Sequence, residues 1–188
     1  MFYKVFVEDH IRVSPDFFDR DLSDSVLVMI KKKYEGFISR EFGFVVDVCD
    51  VSGIDDGKII PGDGAAYYSV SFSLLSFLPE MQEVVFGKVV DIADFGAFLN
   101  IGPIDGMVHI SQSMDDFVSF SKDKSLLGRD SKRSLKVGDR CKARLIVASF
   151  KNLSNPKIGL TMRNRVLGKL EWIEAVIDGK KKSGGVAK

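Results

Sequence analysis

Side chains alternate from the start of the chain, with Tyr3, Val5 and Val7 set against Lys4, Phe6 and Glu8, and Pro15 closes the run. A period of two predicts a strand over residues 3–13, ended by a residue that cannot extend the ladder. From Leu22 the period lengthens. Leu22, Val26, Met29, Ile30 and Lys33 fall on one helical stripe, with Asp21 as N-cap, Lys31 to Lys33 in the last turn and Gly36 just past the end. Period two returns in the β-branched run from Phe44 to Val51, and again where Tyr68, Val70, Phe72 and Leu74 alternate with Ser69, Ser71 and Ser73. The pattern predicts an α+β unit of β-α-β-β order over residues 1–80. Between its last two strands, residues 52–66 hold five glycines or prolines, including the sequence IIPGDG. They read as one loop, with Pro61 and Gly62 suited to a type II turn. A connection of that length is either a plain turn or a docking tip.

Beyond residue 80 five strand-like runs follow: Val84 to Ala93, Phe95 to Ile101, Gly106 to Ile110, Cys141 to Ser149 and Lys157 to Arg163. Five short strands predict an all-β, closed barrel of the OB type. In the fourth run Cys141, Ala143, Leu145 and Val147 are expected to face inward, leaving Lys142 and Arg144 outside. Residues 111–140 are too long for a turn. They are expected to fold as a polar hairpin or short helices over the barrel, where Arg129, Lys132 and Arg133 are either solvated or an extension of a basic track. Leu167, Leu170, Ile173 and Val176 have helical spacing with Trp172 beside them, and residues 179–188 form a basic tail expected to be disordered. The second domain thus spans residues 81–178.

Composition narrows the class. With 45% hydrophobic and 28% charged residues among 188, the chain belongs with soluble globular proteins. No apolar run approaches the roughly 20 residues of a membrane helix and the first residues carry charges, so no membrane partner and a cytoplasmic location are expected. Cys49 and Cys141 lack metal-ligand spacing and read as buried apolar fillers; no metal and no cofactor is expected. No P-loop, HExxH or GxSxG motif and no carboxylate cluster is present, so no catalytic residue is assigned. The net charge of +1 hides a polarity: residues 1–83 carry 8 Lys+Arg against 15 Asp+Glu, and residues 84–188 carry 19 against 11. A basic second half suits a phosphate backbone, although the lysines of the tail supply half of its excess.

The segment from Asp94 to Gln112 holds the candidate chemistry. Phe95 and Phe98 would point to opposite faces of a regular strand, but Gly96 permits a bulge or coil that brings both rings to one surface. His109 stands on the next strand. A phenylalanine or histidine in a barrel strand is ordinarily structural. Exposed together beside Lys88, Lys142 and Arg144, these three would form a stacking platform for single-stranded nucleic acid.

Gly87 to Val89, then Asp94 to Phe98 as DFGAF, then Gly106 to Ser111 as GMVHIS recur in the order seen in the RNA-binding barrel named from ribosomal protein S-one. The resemblance implies that Phe95, Phe98 and His109 contact bases. The chain departs from that pattern at Ser149, where an acidic residue is usual, and at Lys157, a lysine in place of arginine that is retained as an RNA-binding candidate. Over about residues 1–174, KYEG, IIPGDG, PEMQEVVFGKVVDI, IGPIDG, LKVGD, LTMR and LGKLEWIE resemble the E-prime family of archaeal RNA polymerase stalk proteins. What that implies is an RNP-like N-terminal domain docking on the polymerase core near the clamp through a tip that holds Pro61, Gly62, Asp63 and Gly64, a barrel facing emerging single-stranded RNA, and a stalk shared with a smaller helical partner, the F subunit. An RNA-binding adaptor of an exosome-type degradation complex is the alternative expectation.

Overall fold

A computed structural model describes residues 1–121, 123–150, 156–164 and 166–183, the last six as backbone only. The chain divides into two compact units, residues 1–78 and 79–188.

In the first unit β1 (Phe2–Val13) leads through a 3₁₀ turn to α1 (Leu22–Tyr34), followed by β2 (Ile38–Ser39), β3 (Gly43–Ile54), β4 (Lys58–Ile59) and β5 (Ala66–Phe77). The helix begins where the sequence predicts, with the Asp21 carboxylate accepting from the Ser23 amide at 3.1 Å. The sheet runs β1-β5-β3-β2, all antiparallel, with β4 also paired to β5. One face packs under α1, burying Ile11, Val13, Val45, Val70, Phe72 and Leu74 against Val26 and Ile30. Leu22, expected on the buried stripe, is 40% exposed.

Two expectations fail in β3. Its register with β5 shifts between Val45 and Asp47, Val48 and Asp50, and Val51 and Gly53. Each bulge skips a residue, so the inward positions become Val45, Val48 and Val51 instead of every second residue. Cys49 is thereby turned outward and is exposed, contrary to its expected burial. Residues 52–66 are likewise no single loop. Gly53 and Ile54 still pair with Ser71 and Val70, and Lys58 and Ile59 pair with Tyr67 and Ala66, because the long β5 offers backbone partners to both arms.

The second unit contains β6 (Val84–Ala93), β7 (Gly96–Asn100), β8 (Asp105–His109), α2 (Ile110–Ser113), β9 (Val118–Ser121), β10 (Ser125–Gly128), β11 (Ser134–Lys136), β12 (Arg140–Ser149), β13 (Lys157–Thr161), β14 (Gly168–Lys169) and α3 (Leu170–Ser183). Strands β13-β8-β7-β6-β12 form a sheet that closes because β13 also pairs with β12, giving the predicted five-stranded barrel, with β14 added beside β12. Val89, Ile92, Ala97, Leu99, Val108, Cys141, Ala143, Leu145, Ile158 and Leu160 fill it. Val147 does not join them: a register shift after Leu145 leaves it 50% exposed. The insertion folds as α2 and a separate antiparallel sheet, β11-β10-β9.

The terminal helix runs through Gly179 to Ser183, so residues 179–183 are not the disordered tail expected. Lysine is a good helix former, and positive charge complements a helix C-terminus. Residues 184–188 lie outside the described residues. No helix among the described residues is long and apolar enough to cross a membrane.

Ile30→Ala, which empties a wholly buried site under the first sheet, is expected to cost about 2–5 kcal/mol, read as a lower urea midpoint by circular dichroism. In the native chain Cys49 is expected to react with a thiol reagent at neutral pH. Cys141 should react only on unfolding, because desolvation, aided by Asp139, pushes its thiol up to about 12.

Candidate nucleic-acid interface

The last pair of the β6–β7 ladder is Ala93 with Gly96, so Asp94 and Phe95 form a two-residue hairpin turn. Phe95 is therefore a turn residue and not the first of β7. The bulge of this hairpin lies on β6, between Val89 and Asp91, and not at Gly96. The two rings still meet. Phe98 projects from the outer side of β7 between Asp91 and Met107, and its ring centroid lies 5.9 Å from that of Phe95 at an interplanar angle of 89°. Phe95 is 48% exposed and Phe98 half-buried, so neither is a core residue.

Gly96 has another part in this arrangement. It pairs with His109, and a Cβ there would stand 2.2 Å from the Val108 carbonyl oxygen and 3.1 Å from the His109 Cα. Only glycine lets β8 come this close. His109 is exposed at the end of β8; its Nδ1 accepts from the Ser111 amide at 3.3 Å and lies 2.8 Å from the Ser111 hydroxyl, which fixes the ring and leaves Nε2 without an internal partner among the described residues. Phe95 and Phe98 thus meet with crossed rings on the outside of the barrel, and His109 stands on the neighbouring strand, paired with Gly96.

The candidate cations do not all gather there. Lys88 is exposed opposite Asn100, two residues from Phe98 along β7. Lys157 is exposed two residues before Gly159, which neighbours Met107. These two flank the rings. Lys142 and Arg144 stand on β12, opposite Phe86 and Val84, and β12 is not adjacent to β7 in the barrel. Barrel curvature carries them out of line with the rings, and the Arg144 Nε is buried without a hydrogen-bond partner. Of the insertion's basic residues, Arg133 lies 5.6 Å from the Trp172 ring and so belongs to the α3 side.

In the first unit the Pro61–Gly64 turn is tightly braced. Gly62 takes φ +95°, as a type II turn requires, and the Asp63 amide donates to the Ile60 carbonyl at 3.1 Å. Asp63 receives both Arg12 nitrogens, Nε at 2.9 Å and Nη2 at 2.7 Å, together with the Tyr67 hydroxyl at 2.7 Å. Those bonds hold its carboxyl well below the usual carboxylate range. Ile59 and Ile60 beside the turn are exposed.

Residues 78–148 match the S1 RNA binding domain, and residues 8–64 match the SHS2 domain found in the N terminus of Rpb7p, Rpc25p and MJ0397. The DNA-directed RNA polymerase subunit Rpo7 of Sulfolobus acidocaldarius is 35% identical over 94% of this chain and 97% of its own length. That of Saccharolobus shibatae is 38% identical over 87% and 92%. The chain belongs to the Rpo7 family. It is a subunit of DNA-directed RNA polymerase, and the family reaches beyond archaea: RNA polymerase II subunit 7 of Arabidopsis thaliana is 28% identical over 77% of this chain and 82% of its own.

In this chain two residues beside the rings are not marked by the sequence. Lys124, from the turn before β10, reaches the Asp91 carboxylate at 2.9 Å, directly next to Phe98. No sequence signal marks it, since the fold of the insertion sets its reach. Met107 neighbours Phe98 across the ladder, and the outward register of β8 would have found it.

Gly96→Ala is expected to break the close β7–β8 approach, lowering the barrel's melting temperature and costing about 1–3 kcal/mol. Trp172 fluorescence during thermal unfolding would report it.

Proposed function

We propose that the barrel of this polymerase subunit holds single-stranded RNA by stacking bases against Phe95, Phe98 and His109, with Lys88 and Lys157 drawing in the phosphates. The crossed pair of an exposed Phe95 and a half-buried Phe98 on the outside of the barrel carries this reading, because a barrel gains little from leaving such rings partly in water. In the same reading the first unit docks on the polymerase core through Pro61 to Gly64, the small helical F subunit completes the stalk, and the chain works in the cytoplasm. It contributes no chemistry of its own: transcript guidance needs grip and not bond-making. Family membership favours this over an adaptor of an RNA-degradation complex, which would use a similar barrel.

Replacing Phe95, Phe98 and His109 together by alanine is expected to weaken binding of a labelled oligouridylate at least about tenfold, given roughly 1–3 kcal/mol per stacked base. Fluorescence anisotropy measures it. Native melting with unchanged affinity would reject the platform.

A further inference from the structure

A second aromatic and cationic patch lies on the outer side of the same barrel, along the β6–β12 ladder. Phe86 pairs with Lys142, and Lys88 with Arg140. The Phe86 ring is 66% exposed, and the Lys142 ammonium stands 5.6 Å from its centroid. Lys88 and Arg140 are like charges placed directly opposite each other, an arrangement that costs a sheet stability. Nothing nearby relieves it. Among the described residues no ion pair engages Lys88, Arg140 or Lys142, and the neighbouring acidic groups are occupied: Asp139 and Glu171 by Lys169 at 3.0 and 2.8 Å, and Asp105 by the Asn100 amide at 2.9 Å. A hollow of about 520 Å³ opens between Phe86, Lys88, Asn100 and Arg140.

Three uncompensated cations around one exposed ring are costly unless an anion with a flat apolar group completes them. We propose that this patch is a second RNA contact, in which a base stacks on Phe86 and successive phosphates lie over Lys142, Arg140 and Lys88. The inference rests on the reading that the barrel binds RNA, and it gives Lys142, which stands away from the ring platform, a place in that binding. Phe86 is five residues along β6 from Asp91, the partner of Phe98. At about 3.3 Å per residue, and one strand spacing across, the two contacts lie roughly 17 Å apart. A continuous strand would follow β6, with Lys88 between its two stacked ends. An acidic protein segment would satisfy the cations equally, but the naked ring beside them fits a nucleobase better.

The test compares the full-length chain with F86A/R140Q/K142Q, which spares the Lys88 that the platform also uses, and with F86A alone, using oligouridylates of about 4 and about 12 nucleotides, within the range that single barrels hold. Affinity of the triple variant for the long oligomer is expected to fall about tenfold or more. Its log–log salt slope should become shallower by about 1.4, from about 0.7 for each of two lost phosphate contacts. The short oligomer, held on the Phe95–Phe98 platform, should change by less than about twofold. Removing Arg140 from opposite Lys88 should leave the melting temperature unchanged or higher; F86A, which removes no charge, serves as the control for folding and should weaken the long oligomer alone. Undiminished long-oligomer affinity with an unaltered salt slope, in folded variants, overturns the second contact, as does an intact chain that binds neither oligomer. If the alanine variant of Phe95, Phe98 and His109 binds normally while F86A/R140Q/K142Q does not, the platform falls and this patch stands.

Discussion

The barrel is sealed by a short parallel seam, where Gly159 lies beside Met107 and Leu160 beside Val108, while β13 pairs on its other side with β12. Without that seam β8 and β13 would be open edges, with unpaired amides and carbonyls along both. The seam is tight. A Cβ on Gly106 would stand 2.5 Å from the Leu160 Cδ1, so the absence of a side chain there lets Leu160 fill the barrel. The outer row through Asp91, Phe98, Met107 and Gly159 takes its curvature from this closure, and with it the angle at which the rings meet solvent.

Around that frame several of the polar groups hold the fold. The insertion is organised by one carboxylate. Asp116 accepts from the Asp130 and Ser131 amides at 3.1 and 2.9 Å and from the Ser131 hydroxyl at 2.7 Å, bonds that keep its carboxyl below the ordinary range. Lys124 then ties this insertion to β6 through Asp91. Lys169 does similar work on β14, its side chain only 15% exposed and its ammonium held between Asp139 and Glu171. Lys88, Arg140 and Lys142 have no carboxylate partner among the described residues, and that contrast is what the proposed second contact rests on.

Much of this was legible in the letters wherever local periodicity and tertiary packing agree. The Asp21 cap, the five barrel strands and the DFGAF and VHIS segments are local signals, and the structure keeps them. What the letters hid depends on register. The repeated bulges of β3 turn Cys49 outward, yet nothing in Phe44–Val51 departs from a plain strand pattern. Phe95 joins Phe98 through the hairpin turn, because Ala93 and not Asp94 makes the last pair with Gly96. Lys142 and Arg144 read correctly as outward, but their position around the barrel follows from strand order, which alternation along one strand does not encode.

The Arg12–Asp63–Tyr67 brace bears on how quickly the first unit can engage anything. Because that bend is already locked by a bidentate guanidinium and a phenol, a surface closing over Ile59 and Ile60 has little residual motion to freeze. Collisions would meet a finished shape instead of a sampling ensemble, so speed of capture would depend on orientation and field alone.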